Sequence, residues 1–297
     1  MTGDSILKGI ALRLLAVALL ATMGALVKLA EQHGAGLIET MFFRQLCALP
    51  IVILWLWRTD GIGTVRTQRF GAHARRAAAG LIGMTATFGS LHLLPLAEAT
   101  TFQFTAPLFA TLLGALWLRE PTGWHRWGAV VAGFVGILII VQPGGHTIPV
   151  AGAAVGLASA FMIAVISVLL RQIGRTESAG TTVFWFSLLS LPPLLPFWLA
   201  DLRPHALGTW AMLVGIGVVG GAGQIALTAA LRHAPISIVV PMDYSALLWA
   251  TLLGFLLFGQ LPSDTTWIGA PILIASGIYI AWREHRRRLA AVPQSSG

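Results

Sequence analysis

The chain of 297 residues predicts an all-α integral membrane protein whose ten transmembrane helices form two inverted five-helix repeats. Three observations carry this. The composition is 56% hydrophobic and 10% charged, with a mean hydropathy of +0.80, outside the range of a soluble enzyme of this length. Apolar runs long enough to cross a hydrocarbon core of about 30 Å, each needing about 20 helical residues, recur from end to end. A motif from the first half also returns in the second.

The predicted spans are 9–30, 37–57, 76–95, 98–118, 125–143, 150–170, 180–200, 209–231, 235–258 and 266–283. The longest remainder, Arg58 to Arg75, is polar and basic, and the tail after Trp282 reads REHRRRLAAVPQSSG, so no soluble domain fits. Lys8 ahead of the first apolar run resembles a secretory signal, but no small-x-small cleavage site follows, and this segment is expected to be a retained helix. The single cysteine, Cys47, lies inside the second span and forms no internal disulfide.

Cations near span ends stay on the cytoplasmic side. With the N-terminus inside, Lys8 and Arg13, the Arg58–Arg76 cluster, Arg119 and Arg126, Arg171 and Arg175, Arg232, and Arg283 with Arg286, Arg287 and Arg288 all become cytoplasmic. Only Arg203 and Lys28 fall outside. The expected location is therefore the cell inner membrane, with both termini cytoplasmic. The net charge of +8 reads as a topology signal facing anionic headgroups of the lipid bilayer. Because the cations are scattered over several loops, no nucleic acid partner is expected.

The repeat is visible directly. FATLLGALWLREP at Phe109–Pro121 matches WATLLGFLLFGQLP at Trp249–Pro262, and each is followed by glycines eight apart, Gly128 and Gly136 against Gly269 and Gly277. Five spans per unit is odd, so the second unit lies upside down relative to the first, with a solute site expected at the pseudo-twofold axis. The expected division is 1–145, 146–283 and a basic tail 284–297. Residues FTAPLFATLLGALWLRE and RWGAVVAGFVGILIIVQPG, with GGAGQIALTAALRHAPISIVVPMDYSALLWATLLGFLLFGQ and GAPILIASGIYIAWRE, resemble the EamA-type branch of the drug/metabolite transporter superfamily. That resemblance implies ten helices in two inverted repeats and secondary transport of a small organic solute without ATP. It does not choose among amino-acid export, S-adenosylmethionine uptake, riboflavin uptake and metallophore export. Gln260 stands where the family often has Glu, opposite Glu120.

Ionisable groups inside a bilayer are costly and default to site candidates. Arg44 lies seven residues into the second span and Asp243 eight into the ninth, each roughly 10–12 Å below opposite surfaces at 1.5 Å per residue. Aligning the repeats sets Ser187 opposite Arg44 and Gln103 opposite Asp243, so neither charge is duplicated. The alternatives are that the two simply pair with each other, or that Arg44 binds backbone carbonyls at a helix end. As a site, Arg44 would take a carboxylate and Asp243 an amine, which suits an amino-acid-like zwitterion. Pro241, with Pro235 at the helix start, opens the ninth span beside Asp243, and Pro107 is its counterpart in the fourth. Tyr244 joins Arg44, Gln103, Gln224 and Asp243 as a substrate-binding candidate. Phe42, Phe43, Trp185 and Trp249 are further aromatics able to stack on a planar ligand, or to anchor and pack.

His92 reads as the one histidine well inside the bilayer and a proton-coupling candidate, with Glu98 the second. Glu39 and Glu98 begin their spans on the outer side, where a partly solvated carboxylate is expected. VGIGVVGGAGQ at 214–224 contains G-x-G-x-x-G, with Asp243 downstream, yet no strand precedes it in water. Gly217, Gly220, Gly221, Gln224, Thr228 and Leu231 instead share one helical face, and Gly217 with Gly221 makes a small-xxx-small packing contact. No nucleotide cofactor is expected. No Cys/His cluster has metal-ligand spacing, and no protease constellation is present, so an enzyme or a non-transporting receptor is the lesser reading. The expected function is transport of an amino acid or derived zwitterion by alternating access, with a riboflavin or cofactor carrier as the alternative. Monomer and homodimer both stay open.

Overall fold

In the computed structural model, residues 3–59, 61–116, 123–142, 148–174, 176–233 and 239–290 are described, and every regular element among them is helical. Glu120 and Pro235 lie outside them. The α-helices are α1 (Gly3–Gln32), α2 (Leu37–Arg58), α3 (Phe70–Leu93), α4 (Leu96–Gln103), α5 (Ala106–Leu116), α6 (Trp124–Val141), α7 (Val150–Ile173), α8 (Ala179–Ala200), α9 (Leu207–His233), α10 (Ala246–Phe258) and α11 (Asp264–Ala290). Short 3-10 turns occupy Ile62–Val65 and Val240–Ser245.

Each boundary has a local cause. At the end of α1, Gly34 adopts φ +89°, which L side chains resist, and lets the Ala35 N–H reach back to the Ala30 carbonyl at 3.0 Å. Gly259 ends α10 in the same left-handed region. Ser178 begins α8 by accepting the Thr181 N–H on its hydroxyl. The fourth span is not one helix. Pro107 lacks an N–H and its ring crowds the carbonyl four residues earlier, so α4 stops at Gln103 and α5 restarts at Ala106. Its repeat mate breaks too, since Val240–Ser245 is 3-10 rather than α and contains both Pro241 and Asp243.

Counting α4 with α5, and Val240–Ser245 with α10, as single broken crossings, the described residues make ten. Among the described residues nine helices are long and apolar enough to cross a membrane, and α3 is not one of them. Its sequence, FGAHARRAAAGLIGMTATFGSLHL, carries Arg75 and Arg76 and many small residues. Small residues are what its position requires. A Cβ at Gly80 would overlap Arg76 and the Phe186 ring, and one at Gly83 would stand 3.2 Å from Met162.

The packing has the symmetry of an inverted repeat. Helix α1 lies along α9 and α7 lies along α3, where α1 and α7, and α3 and α9, hold equivalent places in the two halves. Helix α2 packs on its own mate α8, and α6 on its mate α11. At the α6–α11 crossing the backbones nearly touch: a Cβ on Gly136 would sit 3.0 Å from the Gly269 carbonyl, and one on Gly269 2.6 Å from the Gly136 carbonyl. Each half is thus completed by helices of the other.

Candidate functional site

Breaking the fourth and ninth crossings at equivalent places in the repeat sets the turn after Gln103 against the Val240–Ser245 3-10 turn. Phe104 and Tyr244, repeat mates, meet edge to face there with ring centroids 5.1 Å apart. Tyr244 in turn rests on α11 at Gly277, where a Cβ would stand 3.1 Å from the phenol carbon Cζ. Around this pair opens a cavity of about 660 Å³, walled by α1, α3, α4, α5, α7, α9 and the Val240–Ser245 turn. Its wall is mostly apolar, with a few polar side chains, among them Thr87, Thr100, Gln103, Ser167 and Gln224.

Gln103, Gln224, Asp243, Tyr244 and Pro107 all line this cavity, as site residues drawn from sequence alone. Asp243 is not a lone carboxylate. Arg13 of α1 grips it with both ends of the guanidinium fork, Nε donating to Oδ1 at 2.6 Å and Nη2 to Oδ2. The Arg13 side chain is 8% exposed and that of Asp243 38%, so the pair is sealed from the α1 side and open from the cavity side. Arg13, expected only as a topology cation, is also the counter-charge of Asp243. The signal was present: Arg13 falls inside the first predicted span, and an intramembrane acid needs a counter-charge.

Arg44 does not reach the cavity. Nor does it pair with Asp243. It donates through Nη1 to the Gln45 side-chain oxygen at 2.8 Å and lines a separate small pocket with Arg76, Phe186 and Ser187, which Gln224 joins to the main cavity. Ser187, its repeat mate, donates to the same Gln45 oxygen at 3.4 Å.

The histidine expected deep in the membrane lies at a helix end and does not line the cavity. His92 sits in the last turn of α3 with its side chain 69% exposed, 3.3 Å from a Glu31 carboxylate oxygen. The buried histidines are others: His205 bonds Glu39 at 2.8 Å with both side chains nearly sealed, and His73 lies 3.8 Å from Glu177. Glu39 and Glu98, expected to be partly solvated, are instead 4% and 2% exposed, because neighbouring segments fold over the helix ends. Glu98 Oε1 accepts the Ser263 N–H at 2.8 Å, and its Oε2 has no partner. Nearby, Lys28 Nζ donates to the Leu91 and Leu94 carbonyls that end α3.

Most aromatic candidates belong to the scaffold. Phe42 stacks on Trp198 at 4.5 Å, Phe43 packs on Trp198 and Trp210, and Trp185 donates to the Val65 carbonyl. Trp249 is 38% exposed and does not line the cavity. The glycine stripe of α9 is a packing seam. A Cβ at Gly217 would stand 2.6 Å from the Phe43 carbonyl, and one at Gly221 3.2 Å from Ala48 Cα. Gly220 and Gly223 face Met23 and Leu20 of α1 in the same way.

The chain matches the EamA-like transporter family twice, over residues 7–142 and 150–282. It is 34% identical over 242 residues to a riboflavin transporter of Vibrio cholerae, covering 80% of this chain and 81% of that one. It is 28% identical to a pseudopaline exporter of Pseudomonas aeruginosa, covering 94% and 97%, and 26% identical to an S-adenosylmethionine uptake transporter of Rickettsia bellii, covering 82% of each. A solved crystal structure superposes with a TM-score of 0.60 at 21% identity, spanning 97% of this chain and 100% of that one, which establishes the shared fold.

Proposed function

Because the chain belongs to the EamA-like transporter family, and is a multi-pass membrane transporter of small molecules rather than an enzyme, we propose that it is an inner-membrane carrier for a planar, weakly charged solute of the flavin type. The cavity carries this reading. At about 660 Å³ it lies in the range that encloses a drug-sized molecule, roughly 300–1,000 Å³. Its wall offers hydroxyls and amides to a polyol chain and the Phe104 and Tyr244 rings to a flat heterocycle. Arg13 neutralises its one carboxylate among the lining residues, and Arg44 stands outside, so the two charges that would clamp a zwitterion do not face the cavity together.

A second reading keeps the amino-acid-derived zwitterions, S-adenosylmethionine or a metallophore. Asp243 favours it, since 38% of its side chain is exposed and it can exchange Arg13 for a solute ammonium. Melting curves of the purified protein with riboflavin, S-adenosylmethionine, amino acids and an opine metallophore separate the two. A ligand at about a hundred times its Kd stabilises the folded state by about 2.7 kcal/mol. The expected result is a rise with riboflavin alone. A rise with S-adenosylmethionine or the metallophore that Asp243→Asn removes, without one for riboflavin, would establish the second reading.

Of the two proton-coupling candidates, Glu98 is the better placed, being buried with a free oxygen, whereas His92 faces outward. Glu98→Gln is expected to stop accumulation driven by a pH gradient while leaving solute counterflow intact. Loss of both, or of neither, would remove Glu98 from coupling.

A further inference from the structure

Arg44 and Arg76 share one small pocket inside the membrane domain, and no acid among the described residues lines it. Arg44 lies on α2 and Arg76 on α3, and both guanidinium carbons lie against the Phe186 ring of α8, at 5.7 and 4.1 Å from its centroid. Arg76 is 9% exposed, and its Nε and Nη1 have no hydrogen-bond partner. The amide nitrogen of Gln45, fully buried beside Arg44, also lacks one. The backbone is shaped for this arrangement, since a Cβ at Gly80, one turn beyond Arg76, would collide with its Nη1 and with Phe186.

None of the described carboxylates lines the pocket, and most hold partners elsewhere, Glu98 through one oxygen only. Glu31 faces His92, Glu39 bonds His205, Glu177 accepts from Thr67, Asp201 pairs with Arg203 and Asp243 with Arg13. Two like charges and the orphaned donors of Arg76 therefore meet where the lining side chains supply aromatic contact and two neutral groups, Ser187 and Gln224. Contact with an aromatic face offsets only part of the cost of removing a guanidinium from water, and two adjacent cations add repulsion. An acceptor with a negative charge removes both deficits, whereas a water molecule supplies the acceptor alone.

We infer that the Arg44–Arg76 pocket is a binding site for one small monovalent anion of halide size. The space is about 10 Å³, which is room for about one water-sized particle and excludes an organic acid. Gln224 lines this pocket and the solute cavity alike, so occupancy of one bears on the wall of the other. The inference does not depend on which solute is carried.

The test uses the full-length protein in nanodiscs, melted in sodium chloride or bromide and in sodium gluconate at equal ionic strength, with sulfate as a control for general salting effects. A saturable rise in Tm with chloride and bromide is expected, absent with gluconate and sulfate, and about tenfold weaker in apparent affinity in Arg76→Gln and Arg44→Gln. Anomalous scattering from bromide-soaked crystals of the unaltered protein provides a readout that no unfolded variant can confuse, with a peak expected beside Arg76. Equal melting in chloride and gluconate would overturn the site, as would a halide response unchanged in Arg76→Gln or a bromide map empty at this position. A response to formate and acetate but not to halides would overturn the halide assignment.

Discussion

Arg13 and Asp243 form the charge pair that the cavity wall must hold, and each partner makes the other tolerable in an apolar setting. Arg13→Gln leaves Asp243 without its fork. Because 38% of the Asp243 side chain is exposed, the expected loss is about 1–3 kcal/mol, below the 3–5 kcal/mol of a sealed pair. The double variant Arg13→Gln with Asp243→Asn is expected to melt above Arg13→Gln alone, and a cycle of thermal melts measures the coupling. Phe104→Ala takes away one ring of the edge-to-face pair, and with about 1 kcal/mol at stake it is expected to weaken riboflavin binding roughly fivefold. Binding measured by quenching of flavin fluorescence checks this. At this scale the sequence was informative about which residues are expensive in a membrane and silent about their partners. Asp243 stood out for its depth, but Arg13 is 230 positions away and nothing local links them.

Two elements shape the packing around the cavity, the glycine seam of α9 and the paired broken crossings. Gly217→Ala is expected to destabilise by about 1–3 kcal/mol, since the new methyl meets Cys47 and the Phe43 carbonyl of α2. Gly128→Ala is the contrast. Nothing lies within 4 Å of a Cβ there, and alanine improves helix propensity by up to about 1 kcal/mol, so its melting temperature is expected to hold or rise. Equal losses at both positions would mean that α9 packing is not what Gly217 provides. The seam was legible because small residues three and four apart mark a close helix contact whichever helix approaches. The breaks were legible as prolines, but their extent was not: α4 ends four residues before Pro107, where the ring's clash falls, and Asp243 sits within 3-10 backbone.

For the molecule as a whole, the two inverted halves exchange partners, α1 with α9 and α7 with α3, so that neither forms a cavity alone. The orientation proposed from the basic loops places both termini in the cytoplasm. With Cys47 replaced, a cysteine introduced at Thr67 is expected to react with an impermeant maleimide only after the membrane is opened, and one at Arg203 in intact cells. The reverse pattern would invert the topology. What the sequence by itself determined was the class, the ten crossings, the repeat and most of the cavity-lining polar residues, because bilayer thickness and the cost of buried charge act on each segment separately. Only the tertiary structure decided which charges line the cavity. It withdrew Arg44 behind Gln224, set Arg13 on Asp243, turned His92 outward and sealed Glu98, because burial and pairing depend on how helices distant in sequence lie against one another.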